Sequence, residues 1–300
     1  MALEIPKEDK ELLQGICEAH VHCSPDIFRR PFNEIEFARN ALAVGYKAVL
    51  SKCHFTLNAD RAQLIHQLVP EVNFFGGIVL NQYVGGLNPH AVRAAIQFGA
   101  KEIWMPTFHA ENHIKIMGGP IYPSKVWEKP VNLGEVPGIS ILDKDGIVKS
   151  EVYEILDLVA SSDIMVGTSH ISKDEAFALI KAAKNAGVKK IVVTHVGFRV
   201  TPWFIEDQIK MADMGAHIEH SVANCIDAFD RSIEAKDIAE AMKKVGSHRC
   251  LMVTDLGQIT NPHPIEGMRQ FIHMMMAYGI SRSEIDKMTK DNPAKLLGIE

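Results

Sequence analysis

Cysteine is scarce in this chain: five in 300 residues (Cys17, Cys23, Cys53, Cys225 and Cys250), an odd number with no Cys-x-x-Cys spacing. That favours reduced thiols in a cytoplasmic protein over a disulfide scaffold. Positive charge shows no excess either. Lysine and arginine number 32 against 37 acidic residues, giving a net charge of −5 and a pI near 6.3. A nucleic-acid or anionic-membrane surface is therefore not indicated. No apolar run approaches the roughly 20 residues that span a bilayer. The opening Met1-Ala2-Leu3-Glu4-Ile5-Pro6-Lys7 has no apolar signal core, so no secretion signal is expected. Gly76-Gly77 and Gly85-Gly86 do not complete a dinucleotide or P-loop signature. Low-complexity segments and composition breaks are also missing, and residues 1–300 read as one domain.

What is present is a large core and a regular alternation. Apolar residues make up 47% of the chain. Strand patterns end at His20/His22, His54, Asn81, Thr107, His170, His195, His220 and Asp255, each followed by a stretch of helical apolar spacing. Ser172 with Glu175 three residues on predicts a capping box at one helix start. Eight such units predict a (β/α)8 TIM barrel, a fold that commonly fills this length as one domain. The one irregular stretch, about 108–149, falls after the fourth strand. It carries a hairpin pattern around Lys144-Asp145-Gly146 and the aromatics Tyr122 and Trp127, and predicts an ordered cover over one end of the barrel.

Barrel active sites lie at the carboxyl ends of the strands. In Glu18-Ala19-His20-Val21-His22 the strand alternation points both histidines the same way, with Val21 opposed. Spaced at near-even intervals, the later strand ends would bring His170, His195 and Asp255 to the same place. Four imidazoles and a carboxylate suit zinc or another divalent transition metal. Such an ion lowers the pKa of bound water to roughly 7, and Asp255 can take that proton and pass it to a leaving group. Hydrolysis is the chemistry expected.

The set His20-Val21-His22, His170, His195 and Asp255 resembles, in order and strand position, the motif of the amidohydrolase superfamily of metal-dependent hydrolases. The ending Asp291-Asn292-Pro293-Ala294-Lys295-Leu296-Leu297-Gly298 is similar to that superfamily's carboxy-terminal signature. The resemblance implies that His20 and His22 hold a first ion, with Asp255 as ligand and proton shuttle. It implies that His170 and His195 hold a second, or that one binds and the other orients the water. One or two ions per chain are thus expected. Two-metal members carry a bridging lysine or glutamate at the fourth strand's end, where this chain has Trp104-Met105-Pro106-Thr107. The flanking β-sandwich of many relatives is absent too. The chain is most similar to little-characterised single-domain branches.

Lys52 shares a strand face with His54 and is expected at the site, as a bridging group or an anchor for an anionic substrate. His54 is an additional candidate ligand. Of Glu219 and His220 only one can face inward, and His220 is the expectation. Asn81, Trp104, Arg199 and His220 are candidates to bind substrate, Arg199 through a carboxylate or phosphate. His109 and His113, in the irregular stretch, are weaker candidate ligands. The substrate expected is a small molecule with an amide, lactone or related ester bond. Three alternatives stand beside this: a phosphoesterase, whose His-x-His-x-x-x-Asp motif His20, His22 and Asp26 would fit; a decarboxylase on the same site; and a catalytically silent barrel acting as a binding module. Homo-oligomerisation is left open.

Overall fold

The computed structural model describes residues 5–120, 134, 136–226 and 231–299. Nine short strands build the centre: β1 (Cys17–Val21), β2 (Ala48–Ser51), β3 (Asn73–Phe75), β4 (Gly77–Val79), β5 (Glu102–Trp104), β6 (Met165–Gly167), β7 (Lys190–Val193), β8 (His217–Ser221) and β9 (Cys250–Val253). Every pairing is parallel, in the sequential orders β1-β2-β3 and β4 to β9. The two sheets are one ring. β3 and β4 are a single strand interrupted at Gly76, where Asn58 intrudes: its Oδ1 accepts the Gly77 N–H at 2.8 Å. A Cβ at Gly76 would lie 2.5 Å from the Asn58 carbonyl oxygen, so only glycine allows the approach. At the other junction, β1 pairs with the continuation of β9. Asp255 N–H donates to the His20 carbonyl (2.9 Å), His22 N–H donates to the Leu256 carbonyl (2.8 Å), and Val21 bridges Leu256. Eight strand positions thus close a barrel, as the sequence predicts.

A helix follows each strand position: Glu34–Ala43, Ala59–Leu68, Pro89–Gln97, Ser150–Ser162, Lys173–Asn185, Ile205–Asp213, Ala235–Val245 and Pro264–Ala277. Asn33 with Glu36 and Ser172 with Glu175 form complete capping boxes, the second at the position expected. Strand alternation divides the core. Val49, Ile78, Ile103, Val166, Ile191, Ile218 and Met252 pack outward on the helices, whereas Ala48, Leu50, Val79, Met165, Val192, Leu251 and Val253 point in. All five cysteines are unbridged and buried.

Three features lie outside the pattern of eight strand-and-helix units. The apolar residues Leu12 and Leu13 belong to a helix, Lys7–Leu13, that precedes the first strand. The irregular stretch contains a short helix, Glu111–Met117, before the expected hairpin, which is held by the Leu142–Val148 bridge. Tyr122 and Trp127 lie outside the described residues. The carboxy-terminal signature forms a helix, Asn292–Leu297, whose Ala294, Leu296 and Leu297 join the inward-facing core. Among the described residues no helix is long and apolar enough to cross a membrane.

Candidate metal centre

The first strand delivers its histidines through a bulge. Cys17 and Glu18 pair with Ala48 and Val49, but Val21 pairs with Ser51, so β1 holds one residue more than β2 over this span. The extra residue turns His20 and His22 inward while Val21 packs on the outer core. Glu18 secures the bulge: Oε1 accepts the N–H groups of His20 and Thr254, both at 3.1 Å. Burial raises its carboxyl pKa to about 8, against the pull of those hydrogen bonds.

Two other site residues sit on strained backbone. His195 (φ 61°) and Asp255 (φ 54°) are left-handed, and so is Ser169 (φ 51°) next to His170. Left-handed backbone costs a non-glycine residue roughly 1–2 kcal/mol, and such strain clusters at functional sites. Three strands therefore break at their carboxyl ends in a conformation that turns a ligand-type side chain toward the axis.

The side chains converge. His20 Nε2 lies 3.4 Å and His22 Nε2 3.0 Å from Asp255 Oδ1, and His195 Nδ1 lies 3.2 Å from Asp255 Oδ2. Each histidine of the pair is anchored through its other nitrogen: His20 Nδ1 to Glu219 Oε1 at 3.0 Å, His22 Nδ1 to the Lys52 carbonyl at 2.8 Å. Both Nδ1 atoms are therefore donors, and both Nε2 lone pairs face Asp255. Such anchoring is the pattern that orients metal-bound histidines. His20 Nε2 is buried with no hydrogen-bond partner. Two groups have ligand atoms all within 4.8 Å of one another: His20, His22 and Asp255, and His20, His195 and Glu219. Two imidazole nitrogens and a carboxylate oxygen fit a divalent transition ion.

The electrostatics suit ligation. Burial lowers the imidazole pKa of His20 to about 3, with Lys52 adding to the effect, and lowers His22 and His195 to about 4. Neutral imidazoles are the form a metal needs. Burial pushes the Asp255 carboxyl up, but the imidazoles of His20 and His195 outweigh it and hold it well below the usual carboxylate range. Glu219 is raised by burial to about 7, with His195 and Lys52 pulling the other way.

Lys52 continues the inward face of Ala48 and Leu50 and ends fully buried. Its Nζ stands 3.1 Å from His195 Nε2 and 5.4 Å from the centre of the Trp104 ring. Burial lowers the amine's pKa, opposed by Asp255, Glu219 and Glu102. Trp104, expected to touch substrate, is wholly buried beneath Lys52 in the barrel interior. Asn81 is a builder of the rim, bonding Thr107 through backbone and hydroxyl (2.9 and 2.8 Å) and the His54 carbonyl (3.0 Å). His54 stacks on His22 at 4.7 Å and bonds the Thr107 hydroxyl, outside both candidate groups. His170, 5.1 Å from His195 between ring centres, is likewise outside them; its Nδ1 meets His113 Nδ1 at 2.9 Å. His113 comes from the unexpected short helix, and His109 accepts the Gln82 N–H. Arg199 is exposed.

His220 is a correction. Glu219, level with the inward-facing Leu251, faces the barrel axis, and His220, level with Met252, faces the helices with both ring nitrogens buried and unpartnered. Glu219 was thus missed as a site residue. Ile218, one position earlier, packs outward in the structure and so turns Glu219 in, but an apolar residue can take either face of these strands and gives no decisive signal in the sequence.

The chain belongs to a family described as a family of unknown function (DUF6282), matched over residues 15–219. No curated protein matches it in sequence. Among solved structures it is similar to an amidohydrolase from Pseudomonas aeruginosa (11% identity, 98% of each chain covered, TM-score 0.58). It is similar also to a lactonase from Listeria monocytogenes (12% identity, 97% of this chain and 96% of that one, TM-score 0.60). A third is the phosphotriesterase homology protein of Escherichia coli (11% identity, 95% and 99%, TM-score 0.55). At these identities the likeness is one of fold, a ring of parallel strands surrounded by helices.

Proposed function

We propose that this protein is a metal-dependent hydrolase acting on an amide, lactone or related ester of a small molecule. The observation that carries the proposal is the convergence of the two Nε2 atoms of His20 and His22 on Asp255, each ring locked through its other nitrogen. His20, His22 and Asp255 would hold the ion. When bound, a zinc-like ion lowers the pKa of a coordinated water to roughly 7 and polarises a carbonyl oxygen. The chain's own part is proton handling. Asp255, kept ionised by its neighbours, accepts the proton of the attacking water and returns it to the leaving group. His195, held between Lys52 and Asp255, fixes the orientation of that carboxylate. Phe28, Phe55 and Phe108 pack with Cys53 beside His54 and exclude water from that flank.

The names of similar folds, an amidohydrolase and a lactonase, support carbonyl chemistry. The phosphoesterase alternative would use Asp26 as a ligand, but Arg30 pairs with that carboxylate at 2.8 Å, which weighs against it. We further propose a single-domain cytoplasmic enzyme with no nucleic-acid or membrane partner. The test is metal content after purification without chelator, with amide and lactone hydrolysis measured beside it. One or more equivalents of metal are expected, lost in His20→Ala. Asp255→Asn should slow hydrolysis by about 10^2–10^4-fold. A folded chain that takes up no zinc, cobalt or manganese would sink the proposal.

A further inference from the structure

We infer that the amino end of the barrel carries a second binding site, a basic cavity on its outer surface that holds a small molecule through a di- or triphosphate group. The site is independent of the metal centre and of the hydrolase reading above. The cavity measures about 1070 Å³, room enough for a nucleotide-sized ligand. Segments far apart in the sequence build its wall. They are the starts of β7 and β8, the turn Ser247–Arg249 before β9, the π-helical turn Lys287–Asp291 and the last helix, Asn292–Leu297.

The wall is unbalanced in charge. Lys189, Lys190, Arg249, Lys287 and Lys295 stand against two carboxylates, Asp163 and Asp291, whereas the whole chain has a net charge of −5. Asp163 neutralises Lys190 at 3.0 Å. Lys189, Lys287 and Lys295 make no side-chain hydrogen bond or ion pair among the described residues. Unpaired lysines are ordinary on an open surface; gathered in one concavity they repel one another and draw in an anion. His217 lies among them, half-buried, with Nδ1 out of solvent and without a partner. Burial, and after it the charges of Arg249, His248 and Lys295, lower its imidazole to about 4, which reports a positive local field.

The donor types select the ligand. Lysine ammonium groups are compact point charges that suit phosphate. Arg249, the one guanidinium, already donates Nη1 to the Gly215 carbonyl at 3.1 Å, which leaves a poor fork for a carboxylate. Five cations less two carboxylates leave three positive charges, more than a single phosphate brings. A polyphosphate held here ties the carboxy-terminal segment, through Lys287 and Lys295, to the start of β7, through Lys189.

Calorimetric titration at low salt, with tripolyphosphate, pyrophosphate and orthophosphate, tests the site. One site is expected, about 10-fold or more tighter for tripolyphosphate than for orthophosphate, and weaker as salt rises. Lys287→Gln with Lys295→Gln, both exposed positions, should weaken it by about 10-fold or more while the melting temperature of the unliganded chain holds. Lys173→Gln, the same charge change at the start of the helix after β6, should leave it alone. Amide hydrogen exchange over residues 287–298 should slow on binding. No saturation at millimolar tripolyphosphate overturns the inference, and so does unchanged exchange over 287–298. Equal weakening by Lys173→Gln also overturns it. His20→Ala should bind as the unaltered chain does; loss there would place the anion on the metal centre and overturn the inference while leaving the hydrolase reading standing. ADP and ATP, added without magnesium, separate the sources of the shared chemistry. Binding tighter than that of pyrophosphate and tripolyphosphate identifies a nucleotide, and weaker binding a free polyphosphate.

Discussion

The two ends of the barrel interior are made of opposite materials. At the amino end, Leu251, Met165 and Val192 meet Ala294, Leu296 and Leu297 of the last helix in an apolar plug. Asn292 ties that helix to the barrel by donating to the Ser247 and Cys250 carbonyls, both at 2.8 Å. At the carboxyl end, His20, His22, Lys52, His195, Glu219 and Asp255 are all buried and held chiefly by one another, with His20 Nε2 left without a hydrogen-bond partner. Apolar burial stabilises the first end under any conditions. The second end is stable only in particular protonation states, so it is the end that can bind and react. The carboxy-terminal signature that resembled a superfamily's belongs wholly to the stable end: it is a plug.

The largest test of that division is Leu297→Ala, in the last helix. The residue is 1% exposed within the plug. A cavity there should cost about 2–5 kcal/mol of unfolding free energy in urea, with the metal count unchanged. A loss of metal affinity as large as the loss of stability would mean the two ends are not separable.

Acid should act most strongly on the other end, where three buried imidazoles meet, although burial also lowers His217 at the amino end of β8 to about 4. His20 titrates at about 3, and His22 and His195 at about 4, when folded, against about 6.5 unfolded. The unfolded chain binds more protons between those values, so the metal-free protein should lose stability steadily as pH falls below about 6.5 toward 4. Glu18 has the opposite sign. Raised by burial to about 8, it contributes below about 4.5 and loses its contribution as pH rises through 8. Urea midpoints against pH should therefore peak near neutrality, and a bound ion should protect the acid limb because protons compete for its ligands. A midpoint unchanged between about pH 7 and 5 would break the comparison.

Glu219 and His220 sharpen it within a single strand. Glu219→Ala removes the anchor of His20 Nδ1 and should weaken metal binding by about 10–100-fold, with Glu219→Gln recovering most of it through its amide oxygen. His220→Ala should leave metal affinity alone and change only stability. Equal effects from the two would mean that the site does not depend on which face a residue takes.

That same strand shows where the sequence stopped being legible. The alternation of His20 and His22, and the even spacing of His170, His195 and Asp255, foretold which strand ends meet, because parallel strands with period-two side chains leave little freedom. Glu219 was hidden because a glutamate and a histidine side by side both look like site residues, and only the packing of Ile218, outward in the structure, decides the phase. The bulge at His20, the left-handed backbone of His195 and Asp255, and the helix carrying His113 leave no local pattern. They are fixed by neighbouring strands: Glu18 reaching Thr254, Glu219 taking the His195 N–H at 3.3 Å. Lys52 was expected at the site, but its engagement of His195 depends on an interior that sequence spacing does not describe.

The smallest expected effect lies outside both ends. Ser172 Oγ accepts the Glu175 N–H at 3.3 Å, and Glu175 Oε2 accepts the Ser172 N–H at 2.8 Å. The other carboxylate oxygen takes the Ser140 hydroxyl (2.7 Å) and the Ile141 N–H (2.9 Å), which fastens the hairpin of the irregular stretch to this helix. Ser172→Ala removes the cap and spares the fastening. It should cost about 1 kcal/mol, with amide hydrogen exchange quickened in the first turn of Lys173–Asn185. Ile141 should exchange as before, since its acceptor is the Glu175 side chain and not the serine. Faster exchange at Ile141 would show that the cap and the fastening open together, and that the hairpin depends on the helix terminus as well as on the glutamate.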